Sequence, residues 1–359
     1  FHSDWLSMMY SRLKLARNLL ADDGVLFISI GVEEIANLKK ICDEVFGFNN
    51  FIEIFSWMKT STPPALSKKS RKTNEYILCY EKSKNPIAYN GELLDGGDQP
   101  LLNTGNSIKT LIIPKEFLKF SFMKNGKLAA GKYEKTELLN DLDIKDYYAL
   151  QDVEIEGEFK WTQDFLNRQI KLGTSFIAKS DKLSIRFIRD EEGYKRPTNF
   201  IKDKYIAPLI DKKENDVGTN ENATSELNSL MGDDVFSYPK PVSLMEHLIG
   251  FIIQDGDIIM DFFAGSGTTA HSVFSYGLKN KINLQFILVQ LPENLELQLK
   301  KVNEPNLKRV IQNGINFLNK QKKPLFLSEL SKERIRRAGQ KIKSDNADKD
   351  LSHLDTGFR

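Results

Sequence analysis

Apolar positions near the start of the chain recur at helical spacing. Trp5, Met9, Leu13, Ala16 and Leu20 share one face, with Ser3 or Asp4 as candidate caps. Asp22-Asp23-Gly24 ends this predicted helix, and Val25–Ile30 follows as a near-continuous apolar run. Such a run reads as a strand buried on both faces, the habit of parallel sheets. Helical spacing returns from Glu33 to Phe46, with Ile35, Leu38, Ile41, Cys42 and Val45 on one face, and Phe51–Trp57 and Glu75–Glu81 read as further strands. Between about 90 and 215, Gly, Asn, Asp and Lys are scattered, strands look short and no long helix is evident. The rhythm resumes near Tyr238 with a helix from Pro241, a strand at Ile258–Phe263, a helix from about Gly267 and a strand at Phe286–Leu291. Asn306–Lys320 reads as helical, and a basic helix, Ser331–Lys343, precedes a polar tail. Alternating helix and buried strand predicts an α/β layer fold, with the middle region inserted as a mixed domain or long excursion.

Composition narrows the picture without redirecting it. The length, 359 residues, gives a prior of about two domains. Counting Gly in place of Tyr, apolar residues make up roughly 43% of the chain, just under the usual ~45–50%, so disorder throughout is excluded. No apolar run approaches the ~18 residues of a membrane-spanning helix. Two cysteines, Cys42 and Cys79, make neither a disulfide framework nor a zinc-ligand set, which fits a reducing, cytoplasmic setting. With 51 basic against 49 acidic side chains the net charge is +2, so any nucleic-acid signal must be local. The chain opens on Phe1 with no signal-peptide pattern, and an amphipathic helix starts almost at once, as expected of a piece of a longer protein.

Candidate chemistry concentrates after Ile258. Ile258-Ile259-Met260-Asp261-Phe262-Phe263-Ala264-Gly265-Ser266-Gly267-Thr268-Thr269 combines a buried strand, an acid, a glycine-rich turn and a helix start. Glycines let backbone approach a ligand closely, and the N–H groups of a helix start favour an anionic group. The same pattern also suits a plain tight turn. Gly265, Gly267 and Ala270 satisfy the G-x-G-x-x-G/A dinucleotide fingerprint as well. Asp261 weighs against that second reading, because a carboxylate ahead of the loop would repel a diphosphate. It suits a cation better, such as the ammonium of S-adenosylmethionine, with Phe262 and Phe263 offering apolar surface.

Asp261-Phe262-Phe263-Ala264-Gly265-Ser266-Gly267-Thr268-Thr269-Ala270-His271 closely resembles the cofactor motif of amino-methylating DNA methyltransferases in the beta arrangement. Tyr238-Pro239-Lys240-Pro241-Val242-Ser243-Leu244 looks like that family's preceding K-P motif, and Phe286–Glu293 like its following strand motif. Trp5–Ile30 is similar to the segment after the catalytic motif, and Asn74-Glu75-Tyr76-Ile77-Leu78 to a later motif of the catalytic half. Lys332-Glu333-Arg334-Ile335-Arg336-Arg337-Ala338-Gly339 adds a likeness to the modification subunit of type III restriction–modification systems. Roughly the first 85 residues and everything after about 215 carry the resemblance. It implies a doubly wound, mostly parallel, Rossmann-like sheet with an inserted target-recognition region. The divisions would be a catalytic half at 1–90, target recognition at 91–215, a cofactor half at 216–300, and C-terminal helices and tail at 301–359 that contact DNA or a partner.

The resemblance further implies that Asp261 holds the methionine ammonium while Gly265 and Gly267 permit close backbone contact. Phe262, Phe263, Ala264, Ser266 and Thr268 would complete the loop, and Lys240 would approach the methionine carboxylate, a charge-assisted contact. The place of the ribose-binding acid is taken by Gln290, with Glu293 just beyond. His271 reads as a helix-face residue rather than a catalyst. No metal is called for.

Family chemistry rests on D-P-P-Y or a close variant, whose Asp and Pro carbonyl accept hydrogen bonds from the target amino group while the Tyr stacks on the extruded base. These residues contain only Thr62-Pro63-Pro64-Ala65, which lacks the acid and the aromatic and reads as a loop. The catalytic motif, together with a central strand whose absence leaves two sheet neighbours unpaired, is therefore expected upstream of Phe1. Basic residues between Lys59 and Lys84, among them Lys68, Lys69, Arg71 and Lys72, are candidates for phosphate contact. Arg196 and Asn199, with Arg186, Arg189 and Lys195, carry base-reading side chains. The basic helix from Ser331 has too narrow an apolar face to hold it to a core by itself, which predicts a contact with DNA or a second subunit.

Taken together, these features predict an adenine-N6 methyltransferase subunit acting on double-stranded DNA. S-adenosylmethionine would be its cofactor, and a second copy and a helicase/nuclease restriction subunit its partners. Cytosine-N4 methylation and a non-catalytic DNA-binding or assembly subunit are the alternatives.

Overall fold

The computed structural model describes residues 2–63, 68–91, 98–189, 194–202, 217–352 and 354–358. The chain divides into two compact units: Phe1–Glu92 with Arg196–Arg359, and Leu93–Lys195. Pro64 and Ala65 of the Thr62-Pro63-Pro64-Ala65 segment lie outside the described residues.

In the first unit, helix α1 (His2–Leu19) buries Met9, Leu13 and Ala16, the stripe set by the helical spacing. Strand β1 (Val25–Ile30), helix α2 (Ile35–Phe46) and strands β2 (Phe51–Met58) and β3 (Asn74–Glu81) follow. They form one sheet in the order β1-β3-β2, with a short strand β4 (Phe200–Ile201) beside β2. Direction is where expectation and structure part. Val25–Ile30 pairs antiparallel with β3, from Val25↔Glu81 to Ile30↔Tyr76, and β3 pairs antiparallel with β2. Only β4 runs parallel, along Ser56 and Trp57. The physical reason is that a continuous apolar run reports cover on both faces, not strand direction. Leu26, Leu78 and Tyr80 face α1 and α2 with Met9, Leu13, Leu38 and Phe46. Val25, Phe27, Phe55, Ile77 and Cys79 face Leu244, Leu248 and Phe251 on the other side.

Beyond 216 come helices α3 (Asn220–Met231) and α4 (Val242–Ile249), strand β5 (Ile258–Asp261), helix α5 (Thr268–Asn280) and strand β6 (Gln285–Leu288). Helices α6 (Leu295–Lys301), α7 (Pro305–Lys320) and α8 (Leu327–Asp345) complete the unit. Strands β5 and β6 pair in parallel, from Ile258↔Gln285 to Asp261↔Leu288, so β5-α5-β6 is a crossover unit. Its covered face packs Phe286 and Leu288 against Ala270 and Phe274 of α5 and Ile335 of α8. The opposite face leaves Ile258, Met260 and Ile287 at 59%, 38% and 49% exposure. Among the described residues β1 and β5 are each the outer strand of their sheet.

The second unit is built of short strands. One sheet has seven, in the order 99–100, 185–188, 175–178, 118–120, 148–149, 142–145 and 126–128; the other has four, in the order 109–113, 153–157, 136–138 and 131–133. Alternation along them buries Leu111, Ile113, Phe120, Ile155, Phe176 and Phe187 in one core. Its helix, Gln163–Lys171, starts at Thr162, whose side chain accepts the Phe165 N–H.

Candidate functional site

Strand β5 ends on Asp261, the chain turns through 262–267, and α5 starts at Thr268. Gly265 and Gly267 take φ of +54° and +78°, which Gly adopts without the steric cost that a Cβ brings. Asp261 ties the loop to both of its neighbours. Its Oδ1 accepts the Phe263 N–H at 3.0 Å and its Oδ2 accepts the Thr269 hydroxyl at 2.6 Å. A carboxylate oxygen has two acceptor sites, so each retains capacity for a cation. Gln290 lies across the loop, its Oε1 accepting the Gly265 N–H at 2.8 Å and its Nε2 donating to the Leu291 carbonyl. Phe263 is 50% exposed, whereas Phe262 packs into the cluster of α1, β1 and α2. A cleft of about 580 Å³ runs along β6 between α8 and the C-terminal tail, lined among others by Gln285, Ile287, Gln290, Ile335 and Phe358, and it reaches the loop at Ala264.

Helix α8 packs against this loop, which corrects the expectation that its apolar face is too narrow to hold it to a core. It buries Leu330, Ser331, Arg334, Ile335, Ala338, Gly339 and Ile342. The helix starts at Leu327, four residues before the predicted Ser331, so Leu327 and Leu330 widen its apolar face, and the small Ser331, Ala338 and Gly339 let its neighbours approach closely. Arg334 is 1% exposed and donates from Nη1 to the hydroxyls of Ser266 at 2.6 Å and Thr268 at 2.7 Å. Ser331 donates to the Gly265 carbonyl. Arg337 closes the C-terminal end of α3, donating to the Met231 carbonyl at 2.6 Å, and pairs with Glu333. Arg336 pairs with Glu333 at 3.5 Å and lies over the Phe358 ring. Burial pulls the Arg334 guanidinium down to about 10, with the nearby Glu226 carboxylate acting against that.

Lys240, predicted to approach a carboxylate of the cofactor, is held by one from the protein. Its Nζ lies 2.7 Å from Glu75 Oε2 and over the Trp57 ring, and Lys59 takes Glu75 Oε1 at 2.9 Å. Burial works to raise the Glu75 carboxyl, but Lys240 and Lys59 outweigh it and hold it below the usual range. Glu75 and Arg334 are thus the residues that sequence reasoning placed in motifs without giving them a part in the site.

The basic candidates are mostly engaged locally. Arg71 donates to the Pro63 carbonyl at 2.6 Å, and Lys72 pairs with Glu33. Lys68 and Lys69 are exposed. Arg196 donates to the Tyr89 carbonyl at 3.1 Å, and the Asn199 carbonyl accepts the Ser56 N–H, which aligns β4 with β2. In the second unit Arg186 pairs with Asp98 at 2.7 Å and Arg189 lies over Trp161. Burial pushes the imidazole of His271, on α5, down to about 3. Among the described residues no group of three His, Cys, Asp or Glu is placed to hold a metal, and no helix is long and apolar enough to cross a membrane.

A strand that ends on an acid, a glycine turn and a helix start is the arrangement of a cofactor-binding α/β enzyme, and residues 1–287 match the family described as DNA methylase. The chain belongs to that family. Among its relatives is the type III restriction-modification enzyme StyLTI Mod subunit of Salmonella typhimurium strain LT2, 28% identical over 363 residues, covering 100% of this chain and 48% of the relative. The type III restriction-modification enzyme EcoP15I Mod subunit of Escherichia coli is 31% identical over 312 residues, covering 81% and 47%. The chain therefore spans about half the length of the curated relatives it matches. The solved structure of PvuII DNA methyltransferase (cytosine-N4-specific) covers 89% of this chain and 78% of its own at 14% identity, but its TM-score of 0.34 is too low to bear on the fold.

Proposed function

We propose that the protein to which these residues belong methylates the N6 amino group of adenine at a specific site in double-stranded DNA. It would act as the modification and recognition subunit of a type III-like restriction–modification system. The observation that carries this reading is Asp261, a strand-end carboxylate with spare acceptor capacity at the head of the 262–267 loop, in a chain of the DNA methylase family. The likeness to two type III Mod subunits favours adenine over cytosine-N4.

S-adenosylmethionine, when bound, supplies an electrophilic methyl group. Asp261 would hold its ammonium by a charge-assisted hydrogen bond. Phe263 would give it apolar surface, and the cleft beside Gln290, at about 580 Å³, has room for a nucleoside. The ribose contact would fall to the Gln290 amide group, since its carbonyl oxygen already accepts from Gly265. Lys240 would act through its pair with Glu75, fixing the 238–241 segment against β3 rather than gripping a carboxylate. Residues 1–90 would form part of the catalytic half, 91–215 would recognise the target, 216–300 would bind cofactor, and the helices from 301 would brace that half. The partners would be DNA, a second copy and a restriction subunit, in the cytoplasm.

Transfer of labelled methyl from S-adenosylmethionine to unmethylated genomic DNA by the full-length protein, followed by nucleoside analysis, tests the proposal. N6-methyladenine is the expected product. Label in N4-methylcytosine would replace the adenine assignment, and no label with retained DNA binding would favour a non-catalytic subunit.

A further inference from the structure

Arg334 is a buried cation on which the nearby Glu226 acts through its charge, with no hydrogen bond between the two among the described residues. Among the described residues its hydrogen bonds run to two hydroxyls and none to a carboxylate, and its Nε finds no partner. Burying a charge this way costs free energy, and well-packed apolar residues in place of buried ions are often neutral or stabilising.

The bonds have one direction only. Arginine has donors and no acceptor, so Ser266 Oγ and Thr268 Oγ1 must both accept from it. Each hydroxyl keeps one proton to donate. That of Thr268 goes to the Lys240 carbonyl at 3.2 Å, leaving its oxygen to accept the Ser266 hydroxyl at 3.0 Å. A chain of donors thus runs from the buried guanidinium through both hydroxyls to the backbone of the 238–241 segment. One turn earlier on α8, Ser331 holds the Gly265 carbonyl. One residue further on, Ile335 fills the space beside Gly267: a Cβ there would lie 3.2 Å from Ile335 Cγ1 and 3.3 Å from the Ser331 carbonyl oxygen. Residues 265 to 268 are each held by α8.

We propose that Arg334, with Ser331, is a positioning residue for the cofactor: it sets the 264–268 loop and the Lys240 backbone so that Asp261 and the start of α5 are presented to the methionine end. This rests on the proposed use of the loop for S-adenosylmethionine. A residue needed only for folding would show its loss in the melting temperature and leave the affinity of the folded protein intact. A positioning residue does the reverse.

The test is calorimetric titration of S-adenosylmethionine into the full-length protein and its Arg334→Met, Arg334→Lys and Ser331→Ala variants. Melting temperatures and amide exchange at 264–268 are measured alongside. For Arg334→Met we expect the dissociation constant to rise at least tenfold with little change in melting temperature, and loop amides to exchange faster. The KM for S-adenosylmethionine should rise more than the KM for DNA. Arg334→Lys should recover only part of the affinity, because a point ammonium does not reproduce the planar fork. Lys343→Gln, exposed on the same helix, should leave affinity unchanged. Should neither Arg334 variant fold, Ser331→Ala decides, with a several-fold loss expected. Parent-like affinity in a folded Arg334 or Ser331 variant overturns the proposal. A parent protein that binds no S-adenosylmethionine overturns the functional reading itself, and the cofactor role of Arg334 with it.

Discussion

Asp261 shows how a single side chain can be legible from local sequence. An acid, two aromatics and a Gly-Ser-Gly turn are neighbours in the chain, so their grouping needs no tertiary information. The structure adds that both carboxylate oxygens already accept a hydrogen bond. Asp261→Ala should weaken S-adenosylmethionine binding ten- to a hundredfold, on the basis of roughly 1.5–3 kcal/mol for a hydrogen bond to a charged group, as calorimetry would measure. Asp261→Asn should fall between, since an amide oxygen can still accept one of the two bonds. Arg334 was not legible, because its burial depends on hydroxyls 66 and 68 positions away in the chain.

Three residues set a pH response: His247, Glu75 and His271, whose buried imidazole on α5 acts in the same direction as that of His247. Burial holds the His247 imidazole down to about 4, where it packs edge-on against Phe251. The unfolded chain therefore takes up a proton at His247 before the folded one does, and stability should fall as pH drops from about 6.5 towards 4. Glu75, held below its usual 4.5 by Lys240 and Lys59 against the effect of burial, contributes stability above that value and loses it as pH falls further. Melting curves from pH 7 to 4 should show the decline, and His247→Phe should remove part of its slope, the rest staying with His271. An unchanged slope in that variant would place the response elsewhere.

At the level of elements, helix periodicity was the reliable signal. The stripe of α1 emerged as its buried face, and α7, predicted from Asn306, runs Pro305–Lys320. Helix α3 was not read, because Ala223, Leu227 and Met231 form a thin stripe among polar residues such as Asn220, Glu221 and Asn222. Strand direction differs from the expectation for β1, since cover by helices on both faces is open to a parallel strand and to an antiparallel one alike. Helix α8 was misread because the surface it packs on is the loop itself. Gly267→Ala tests that packing: its φ of +78° is strained for Ala, and the new Cβ meets both Ile335 and the Ser331 carbonyl. The expected loss is about 1–3 kcal/mol, measured by denaturant unfolding. Ile335→Ala in the same chain should relieve only part of it, because the backbone strain and the carbonyl remain.

Across the whole molecule the two units carry separate expectations. The Leu93–Lys195 unit has its own core of short strands and is the region in which no family motif was found. Exchanging it for the matching region of a related methyltransferase should move the methylated DNA site, read by sequencing of modified bases. A recipient that keeps its own site would place recognition elsewhere. Methyl transfer by the 359-residue polypeptide alone should be undetectable, because no Asp-Pro-Pro-Tyr or close variant is present to orient the amino group. Positioning is worth effective molarities of about 10⁵–10⁸ M in such reactions. Radiolabel incorporated by these residues alone would show that the gripping groups lie among them.

What the sequence determined by itself was whatever depends on neighbours along the chain: the helix stripes, the apolar runs, the acid and glycines of the loop, and through them the family. Tertiary structure decided what depends on distant partners. It turned Val25–Ile30 antiparallel, gave Lys240 to Glu75, and placed Arg334 of a basic helix against the 262–267 loop. The physical reason is common to all three. Periodicity reports how many faces of an element are covered, but a charge or a strand edge is satisfied by whichever group the fold brings within about 3 Å, and that is set by residues the local pattern does not contain.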